Sequence, residues 1–222
     1  MEITLPFGYN KTWKEVFFMI RVTLTNEILK YITEIEKNRY RVSTVKLSRN
    51  VANKLRKNSK KKSSYASNKI EGNPLSEKQV DEVIESDERK HFLKPEQEVR
   101  NYFLALNYLE AMVNKREPFS KQLIMDVQKL VEKGASKEKI GLRGPMPPGV
   151  LFAVYDSKTG NPDYIPPEYC DIPALIDELV EYVNTTDDHP LIVAAVVHYQ
   201  LVTIHPFEDG NVPLRYQQQI AA

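Results

Sequence analysis

A long apolar segment that runs into a short polar loop most constrains how this chain can fold. Residues 191–203 are apolar at most positions and long enough for a core helix. The run Ile204-His205-Pro206-Phe207-Glu208-Asp209-Gly210-Asn211 follows directly, and a proline there ends a helix. The sequence therefore predicts a buried helix whose C-terminal end carries an imidazole, a carboxylate and a small-residue turn.

The residue types in this loop indicate a particular chemistry. A histidine held at the end of a rigid helix can act as a general base near neutral pH. Asp209 supplies the oxygen ligands that hard cations prefer. Gly210 and Asn211 suit a turn whose N–H groups cradle phosphate oxygens. Taken singly, His205 has an ordinary structural interpretation and Asp-Gly-Asn is an ordinary turn. The fixed order of the whole run favours base-assisted chemistry on a metal-bound phosphate.

The run resembles the start of the Fic motif, H-P-F-x-D/E-G-N-G-R-x-x-R. The resemblance implies a mainly α fold, a helical bundle with a small β-hairpin flap. It implies a protein adenylyltransferase that transfers AMP from ATP to a Tyr, Thr or Ser hydroxyl of a target protein. In that interpretation His205 is the base and Asp209 binds Mg²⁺, which bridges the ATP phosphates. Phe207 anchors the loop, and Gly210 and Asn211 line the phosphate cradle.

The sequence departs from the Fic motif after Asn211. Val212, Pro213 and Tyr216 stand where the family has Gly, Arg and Arg, and Arg215 is one position out of register. A guanidinium binds phosphate oxygens as a fork, which neither Pro nor Tyr can replace. We therefore expect the C-terminal part of the domain to be altered or incomplete. A catalytically impaired Fic-like module that binds partners through its flap stays open as the alternative.

An upstream segment resembles the inhibitory motif of Fic proteins, S/T-x-x-x-E-G/N. It is Ser67-x-x-x-Glu71-Gly72, within a predicted helix at about residues 63–73. The resemblance implies that Glu71 enters the ATP site and pairs with the second motif Arg, at the position that Tyr216 occupies here. It also leaves open a de-AMPylating enzyme in which Glu71 positions water. The ordinary interpretation is that Gly72 ends a helix as its C-terminal cap.

A β-hairpin is predicted at residues 150–166. Residues 150–155 are β-prone, residues 156–161 are rich in turn formers, and a second short β-prone stretch precedes Pro166 and Pro167. The resemblance implies that this hairpin is a flap that pairs with the backbone of the target protein. The predicted docking residues are Val150, Leu151, Phe152, Ala153 and Val154. An ordinary surface hairpin is the alternative.

Apolar spacing predicts further helices. They cover residues 13–38, 76–88, 95–115, 119–133 and 172–184, and Ser76 with Gln79 forms a capping-box pair at the start of the second. We expect an N-terminal helical extension at residues 1–62. A Fic-like domain at residues 63–222 would then contain the motif loop at 205–211.

Composition bounds the remaining possibilities. The 222 residues can bury a substantial core, and the net charge of +1 gives no drive toward nucleic acid or anionic membranes. The basic residues between 56 and 62 are expected to form a solvated face, because no nucleic-acid motif accompanies them. The single Cys170 excludes an internal disulfide.

No signal-peptide pattern and no run of about 18 apolar residues are present, so we expect a cytoplasmic protein with no membrane span. The expected partners are ATP and a protein substrate, and a homodimer stays open.

Overall fold

The chain is mostly helical. A computed structural model describes residues 22–86, 91–134, 140–155, 159–208 and 211. Within these ranges it forms seven α-helices and one two-stranded antiparallel sheet. The predicted mainly α class with a small hairpin is therefore confirmed. The chain divides into two compact units between Leu55 and Arg56.

The first helix, α1, spans Asn26–Ser43. Its start is later than that of the helix predicted at residues 13–38. The prediction carried a helix through residues 22–25, but these residues are not helical, and residues 1–21 lie outside the described ranges. Thr25 has an extended backbone, and its hydroxyl accepts a hydrogen bond from the Ile28 N–H at 3.2 Å. Because this bond satisfies a free N–H of the first turn, local capping sets the start of α1 and overrides apolar spacing.

The second helix, α2, spans Arg49–Ile70 and was only partly predicted. The sequence pattern indicated a helix from about residue 63, whereas α2 begins well before that. Its buried residues are all polar: Lys61, Ser64, Ser67 and Asn68. A helix that buries polar side chains shows no apolar stripe, so periodicity could not reveal its first half.

Helices α3, Glu77–Glu85, and α4, Lys94–Lys115, confirm two predicted helices, and α3 begins with the predicted capping box. Ser76 Oγ accepts a hydrogen bond from the Gln79 N–H at 3.4 Å, and the Ser76 N–H donates to Gln79 Oε1 at 3.0 Å. The two helices share an apolar cluster whose members are at most 6% exposed: Val80, Val83, Ile84 and Val99. Burial of this cluster joins α3 to the first turns of α4.

Three further helices complete the larger unit: α5, Lys121–Val131, α6, Ile172–Thr185, and α7, Pro190–Ile204. All three were predicted, with ends that differ by one or two residues. Helix α5 packs on α4 and on α6, and α6 packs on α7. Helix α7 is apolar around most of its circumference, which fits a helix that neighbours cover on several sides.

Buried amides hold the end of α5 and the segment after it. Asn101 on α4 is fully buried, and its Nδ2 donates to the Val131 and Lys133 carbonyls at 2.8 and 2.7 Å. The Gly141 N–H donates to Gln128 Oε1 on α5 at 3.2 Å. The two Asn101 bonds satisfy carbonyls that a helix end leaves free, and the Gly141 bond fixes the chain that leads toward Arg143.

The predicted hairpin is present, with shorter strands. Strand β1 is Val154–Tyr155, strand β2 is Pro162–Tyr164, and they pair antiparallel with Val154 opposite Tyr164. Residues 150–153 are irregular and follow a turn that the Val150 N–H closes onto the Pro147 carbonyl at 3.0 Å. Residues 156–158, in the predicted turn, lie outside the described ranges. Within the described residues, no helix is both long enough and apolar enough to cross a membrane.

Candidate functional site

His205 lies directly after the last residue of α7, in a backbone conformation that few side chains adopt. Its φ is +48° and its ψ is 59°, the left-handed region, and its N–H still donates to the Leu201 carbonyl at 3.0 Å. The next residue, Pro206, disfavours a right-handed helical backbone at His205, which explains why α7 stops here. The Nδ1 atom of the half-buried imidazole is itself buried. The imidazole is thus placed at a fixed point on the end of a core helix.

Asn211 closes the loop that follows His205. Its Nδ2 donates to the Phe207 carbonyl at 2.6 Å, and its Oδ1 accepts from the Phe207 N–H at 3.0 Å. Phe207 is fully buried and also pairs with Leu142 in an isolated antiparallel bridge. The amide of Asn211 therefore shapes the loop by bonding to backbone, while the predicted phosphate cradle of Gly210 and Asn211 stays a prediction. Asp209 and Gly210 lie outside the described residues, as do Val212, Pro213, Arg215 and Tyr216.

Arg143 connects this loop to the rest of the site. The side chain is 6% exposed, and its Nε donates to the His205 carbonyl at 2.9 Å. The Arg143 backbone N–H donates to the Pro206 carbonyl at 2.8 Å, and an outer guanidinium N–H bonds the Pro167 carbonyl. Burial lowers the pKa of Arg143, which still leaves a guanidinium charged at neutral pH. A buried cation thus bonds carbonyls at the end of α7 and beyond the hairpin.

The hairpin packs against the end of α7 through two aromatic residues. The Phe152 ring lies 5.9 Å from the His205 ring, centroid to centroid, at an interplanar angle of 59°. The Tyr164 hydroxyl on β2 donates to the Thr203 carbonyl at 2.7 Å. Burial raises the pKa of Tyr164 to about 12, so its hydroxyl keeps its proton at physiological pH. Of the five predicted docking residues, Phe152 contacts the imidazole, and Val154 lies in strand β1 while the other four precede it.

The segment with the predicted inhibitory motif ends α2 in a well-defined cap. The Asn73 N–H donates to the Asn68 carbonyl at 2.9 Å, and the Gly72 N–H donates to the Lys69 carbonyl at 3.1 Å. Gly72 has a φ of +85°, so the pattern is a Schellman motif with glycine in its left-handed position. The predicted C-terminal cap is therefore confirmed. Glu71 is an exposed residue at this cap, and its inhibitory role stays a prediction.

The same end of α2 is attached to α4. Ser67 Oγ donates to the Tyr102 hydroxyl at 2.8 Å, between side chains that are 4% and 2% exposed. Beyond Glu71, Asn73 Nδ2 donates to the Pro95 carbonyl at 2.9 Å. Contacts to α4 therefore flank Glu71 on both sides.

The basic cluster on α2 is partly neutralised by carboxylates. Lys60 Nζ lies 2.6 Å from Glu110 Oε2, and Lys61 Nζ lies 2.7 Å from Glu85 Oε1 and 3.2 Å from Asp81 Oδ1. Burial alone would lower the pKa of Lys61, but its bonds to these two carboxylates outweigh burial and raise it. These lysines join α2 to α3 and α4, as a structural role requires.

The described residues contain no cluster of side chains that could bind a metal ion. No three His, Cys, Asp or Glu side chains converge there to hold a metal ion. The predicted Mg²⁺ ligand, Asp209, is outside those ranges, so the magnesium site stays a prediction.

Sequence analysis missed Arg143, Tyr164 and Asn73. Arg143 stands between Gly141 and Gly144, in an irregular segment that precedes the hairpin. A lone arginine among glycines and apolar residues was the signal that could have drawn attention to it. Tyr164 was assigned only a strand position, and Asn73 was assigned no role.

Comparison with known proteins gives a consistent result. Residues 118–213 match the Fic/DOC family. The chain is 28% identical over 155 residues to a "Protein adenylyltransferase Fic" of Aedes aegypti, covering 66% of this chain and 28% of the relative. It is 27% identical over 154 residues to the protein of the same name in Nematostella vectensis, covering 66% and 33%. The chain thus spans about a third or less of the length of these relatives.

Solved structures agree with these sequence relatives. A Fic family protein from Desulfovibrio desulfuricans superposes with a TM-score of 0.74 and 25% identity, over 90% of this chain and 58% of that one. Fic-1 from C. elegans superposes with a TM-score of 0.63 and 20% identity, over 88% and 58%, which shows a shared fold. The family match, the relatives and the superpositions lead to one conclusion: residues 118–213 of this chain form a Fic/DOC domain.

Proposed function

We propose that this chain carries the catalytic domain of a protein adenylyltransferase that moves AMP from ATP to a hydroxyl of a target protein. The placement of His205 is the observation that carries the proposal. The left-handed backbone, the bond from Arg143 and the buried Nδ1 fix the imidazole at the end of α7. A base must be positioned before its pKa matters, and this one is positioned by the fold.

In the proposed reaction the target hydroxyl approaches His205 Nε2, because Nδ1 faces the protein interior. His205 takes the hydroxyl proton while the hydroxyl oxygen forms a bond to the α-phosphorus of ATP. The bond from that phosphorus to the bridging oxygen breaks, and pyrophosphate leaves. Asp209 would hold Mg²⁺, which neutralises charge on the phosphates when bound. The loop that Asn211 closes onto Phe207 would present its backbone N–H groups to the same phosphates.

The hairpin would hold the target protein. Strands β1 and β2 form a two-stranded sheet, which leaves an outer edge on each strand. An extended segment of a target can add to such an edge through backbone hydrogen bonds. Because Phe152 contacts the His205 ring, a segment bound along β1 would lie close to the proposed base.

Glu71 would restrain the reaction. Its helix is attached to α4 through Ser67 and Asn73, which supports a defined position for the carboxylate. In the proposed resting state this carboxylate opposes productive placement of the ATP phosphates by charge repulsion and by occupying their space. Loss of the Glu71 carboxylate would therefore favour ATP binding.

A catalytically impaired module is the second candidate. The sequence observation that favours it is the presence of Val212, Pro213 and Tyr216 where the family motif has a glycine and two arginines. Without those guanidinium groups, phosphate binding would rest on backbone N–H groups, Asp209 and its cation. Binding of a partner at the hairpin does not depend on these positions.

Calorimetric titration of ATP and Mg²⁺ into wild type and Glu71→Gly distinguishes the two functions. Glu71→Gln, which removes only the charge, and Glu117→Gly, at an exposed loop glutamate, are the matched controls. We expect tighter ATP binding in both Glu71 variants and no change in Glu117→Gly. Labelling of target proteins with radioactive ATP should then follow in Glu71→Gly and vanish in Glu71→Gly with His205→Ala. No ATP binding in any folded variant would exclude the adenylyltransferase and leave the impaired module.

A further inference from the structure

We propose that Arg143 is a positioning residue for His205, one that sets the direction of the imidazole through the backbone at the end of α7 and through the ring of Phe152. The catalytic consequence rests on the proposed AMP transfer. The orientation itself is a property of the fold and can be measured without any activity.

Arg143 holds the backbone around the peptide bond between His205 and Pro206. His205 and Pro206 are consecutive, and Arg143 donates to both carbonyls, through Nε at 2.9 Å and through its own N–H at 2.8 Å. The bond to the His205 carbonyl fixes the orientation of the peptide plane between His205 and Pro206, and the bond to the Pro206 carbonyl fixes that of the next plane. Rotation about ψ of His205 turns the first of these planes, and the left-handed backbone of His205 is disfavoured for a residue with a Cβ. Arg143 thus stabilises the unusual backbone from which the imidazole projects.

The positive charge of Arg143 also stabilises the end of α7. The last carbonyls of a helix lack partners within the helix and carry partial negative charge. A buried guanidinium at this position supplies donors and a positive charge at once, and it cannot lose its proton under physiological conditions. A lysine in its place would offer a compact charge without the planar fork. Arg143→Lys therefore removes geometry and keeps charge.

Arg143 also contacts the Phe152 ring, which lies beside the imidazole. The Arg143 guanidinium carbon lies 4.5 Å from the Phe152 ring centroid, a cation–π distance. The Phe152 ring lies in turn 5.9 Å from the His205 ring. Arg143 thus contacts both the backbone that carries the imidazole and the Phe152 ring beside it. A further guanidinium bond to the Pro167 carbonyl holds the side chain from the far side of the hairpin.

Carbon-13 NMR of histidine-labelled protein tests the proposal in wild type, Arg143→Lys and Arg100→Lys. Arg100 is the matched control, because its guanidinium also lies over a phenylalanine ring, 4.8 Å from the centroid of Phe92, at the junction of α3 and α4. We expect the His205 Cα and carbonyl resonances to move toward extended-backbone values in Arg143→Lys and to stay unchanged in Arg100→Lys. In AMP transfer, kcat should fall at least about tenfold in Arg143→Lys while the KM for ATP stays within about threefold.

The NMR and kinetic results each test the role of Arg143. If Arg143→Lys folds and its His205 resonances coincide with those of wild type, the proposal is overturned. If the wild-type chain transfers no AMP, the proposed function fails, and the resonances alone still judge the role of Arg143. If Arg143→Lys does not fold, solvent exchange of the Arg143 Nε–H in wild type decides. Slow exchange supports the bond to His205, and exchange as fast as that of Arg100 overturns it.

Discussion

Removal of the Ser67 hydroxyl should destabilise the protein by roughly 1–2 kcal/mol, because it deletes a buried hydrogen bond that attaches α2 to α4. Ser67 Oγ donates to the Tyr102 hydroxyl at 2.8 Å, and both side chains are at most 4% exposed. A neutral hydrogen bond contributes about 1 kcal/mol net, and a buried hydroxyl that loses its donor adds roughly 1 kcal/mol of cost. Alanine is the better helix former, which returns up to about 0.5 kcal/mol.

A double-mutant cycle isolates the bond itself. Ser67→Ala, Tyr102→Phe and the double variant should be compared by urea denaturation followed by circular dichroism. We expect each single variant to lose roughly 1–2 kcal/mol and the double variant to lose about 1 kcal/mol less than their sum. Ser59→Ala, at an exposed position of the same helix, should change stability by no more than about 0.5 kcal/mol.

A coupling energy below about 0.3 kcal/mol would refute the reasoning, since additive losses mean that the two hydroxyls do not interact. The same variants bear on the inhibitory proposal. If Glu71 restrains ATP binding from a helix that is fixed to α4, Ser67→Ala should tighten ATP binding less than Glu71→Gly does. An equal or larger effect of Ser67→Ala would place the restraint elsewhere on α2.

Three further predictions concern stability. Gly72→Ala should lower the free energy of unfolding by about 1 kcal/mol, because Gly72 has a left-handed φ of +85° with open space around it. Gly144→Ala is the control, since Gly144 has equally open space but no left-handed backbone, and it should be near neutral in the same denaturation assay. Tyr164→Phe should cost about 1–2 kcal/mol at neutral pH through loss of the bond to the Thr203 carbonyl. The folded-state pKa of Tyr164 is raised from 10 to about 12. The contribution of its hydroxyl to the free energy of unfolding is therefore complete below pH 10 and is lost between pH 10 and 12. In alkaline denaturation, the stability difference between wild type and Tyr164→Phe should shrink across that window. Lys61→Met should lower the stability by about 1 kcal/mol at low salt and by less in roughly 1 M salt, as measured by thermal unfolding. The substitution keeps the apolar stem and removes the charge that pairs with two carboxylates of α3.

Local chemistry in the sequence was enough to predict most of the helices. The capping box of Ser76 and Gln79, the apolar faces of α4 to α6 and the apolar run of α7 are signals that lie within one element. Their physical causes, capping and burial of an apolar face, act over a few residues and can be recognised in a short window. The same signals failed for the start of α1, where capping by Thr25 makes the helix begin later than the apolar pattern does, and for α2, whose buried side is polar.

The sequence by itself also determined which groups stand in the motif loop, an imidazole after an apolar helix followed by Pro206 and Phe207. Only the tertiary structure decided how the imidazole is held. Arg143 is 62 residues from His205 in the chain, and no periodicity or spacing relates the two. Their bond exists because burial of Phe207, together with the antiparallel bridge from Phe207 to Leu142, brings the segment before the hairpin alongside the end of α7. Burial of apolar surface has no preferred sequence separation, so a contact that depends on it becomes visible only when the chain is folded.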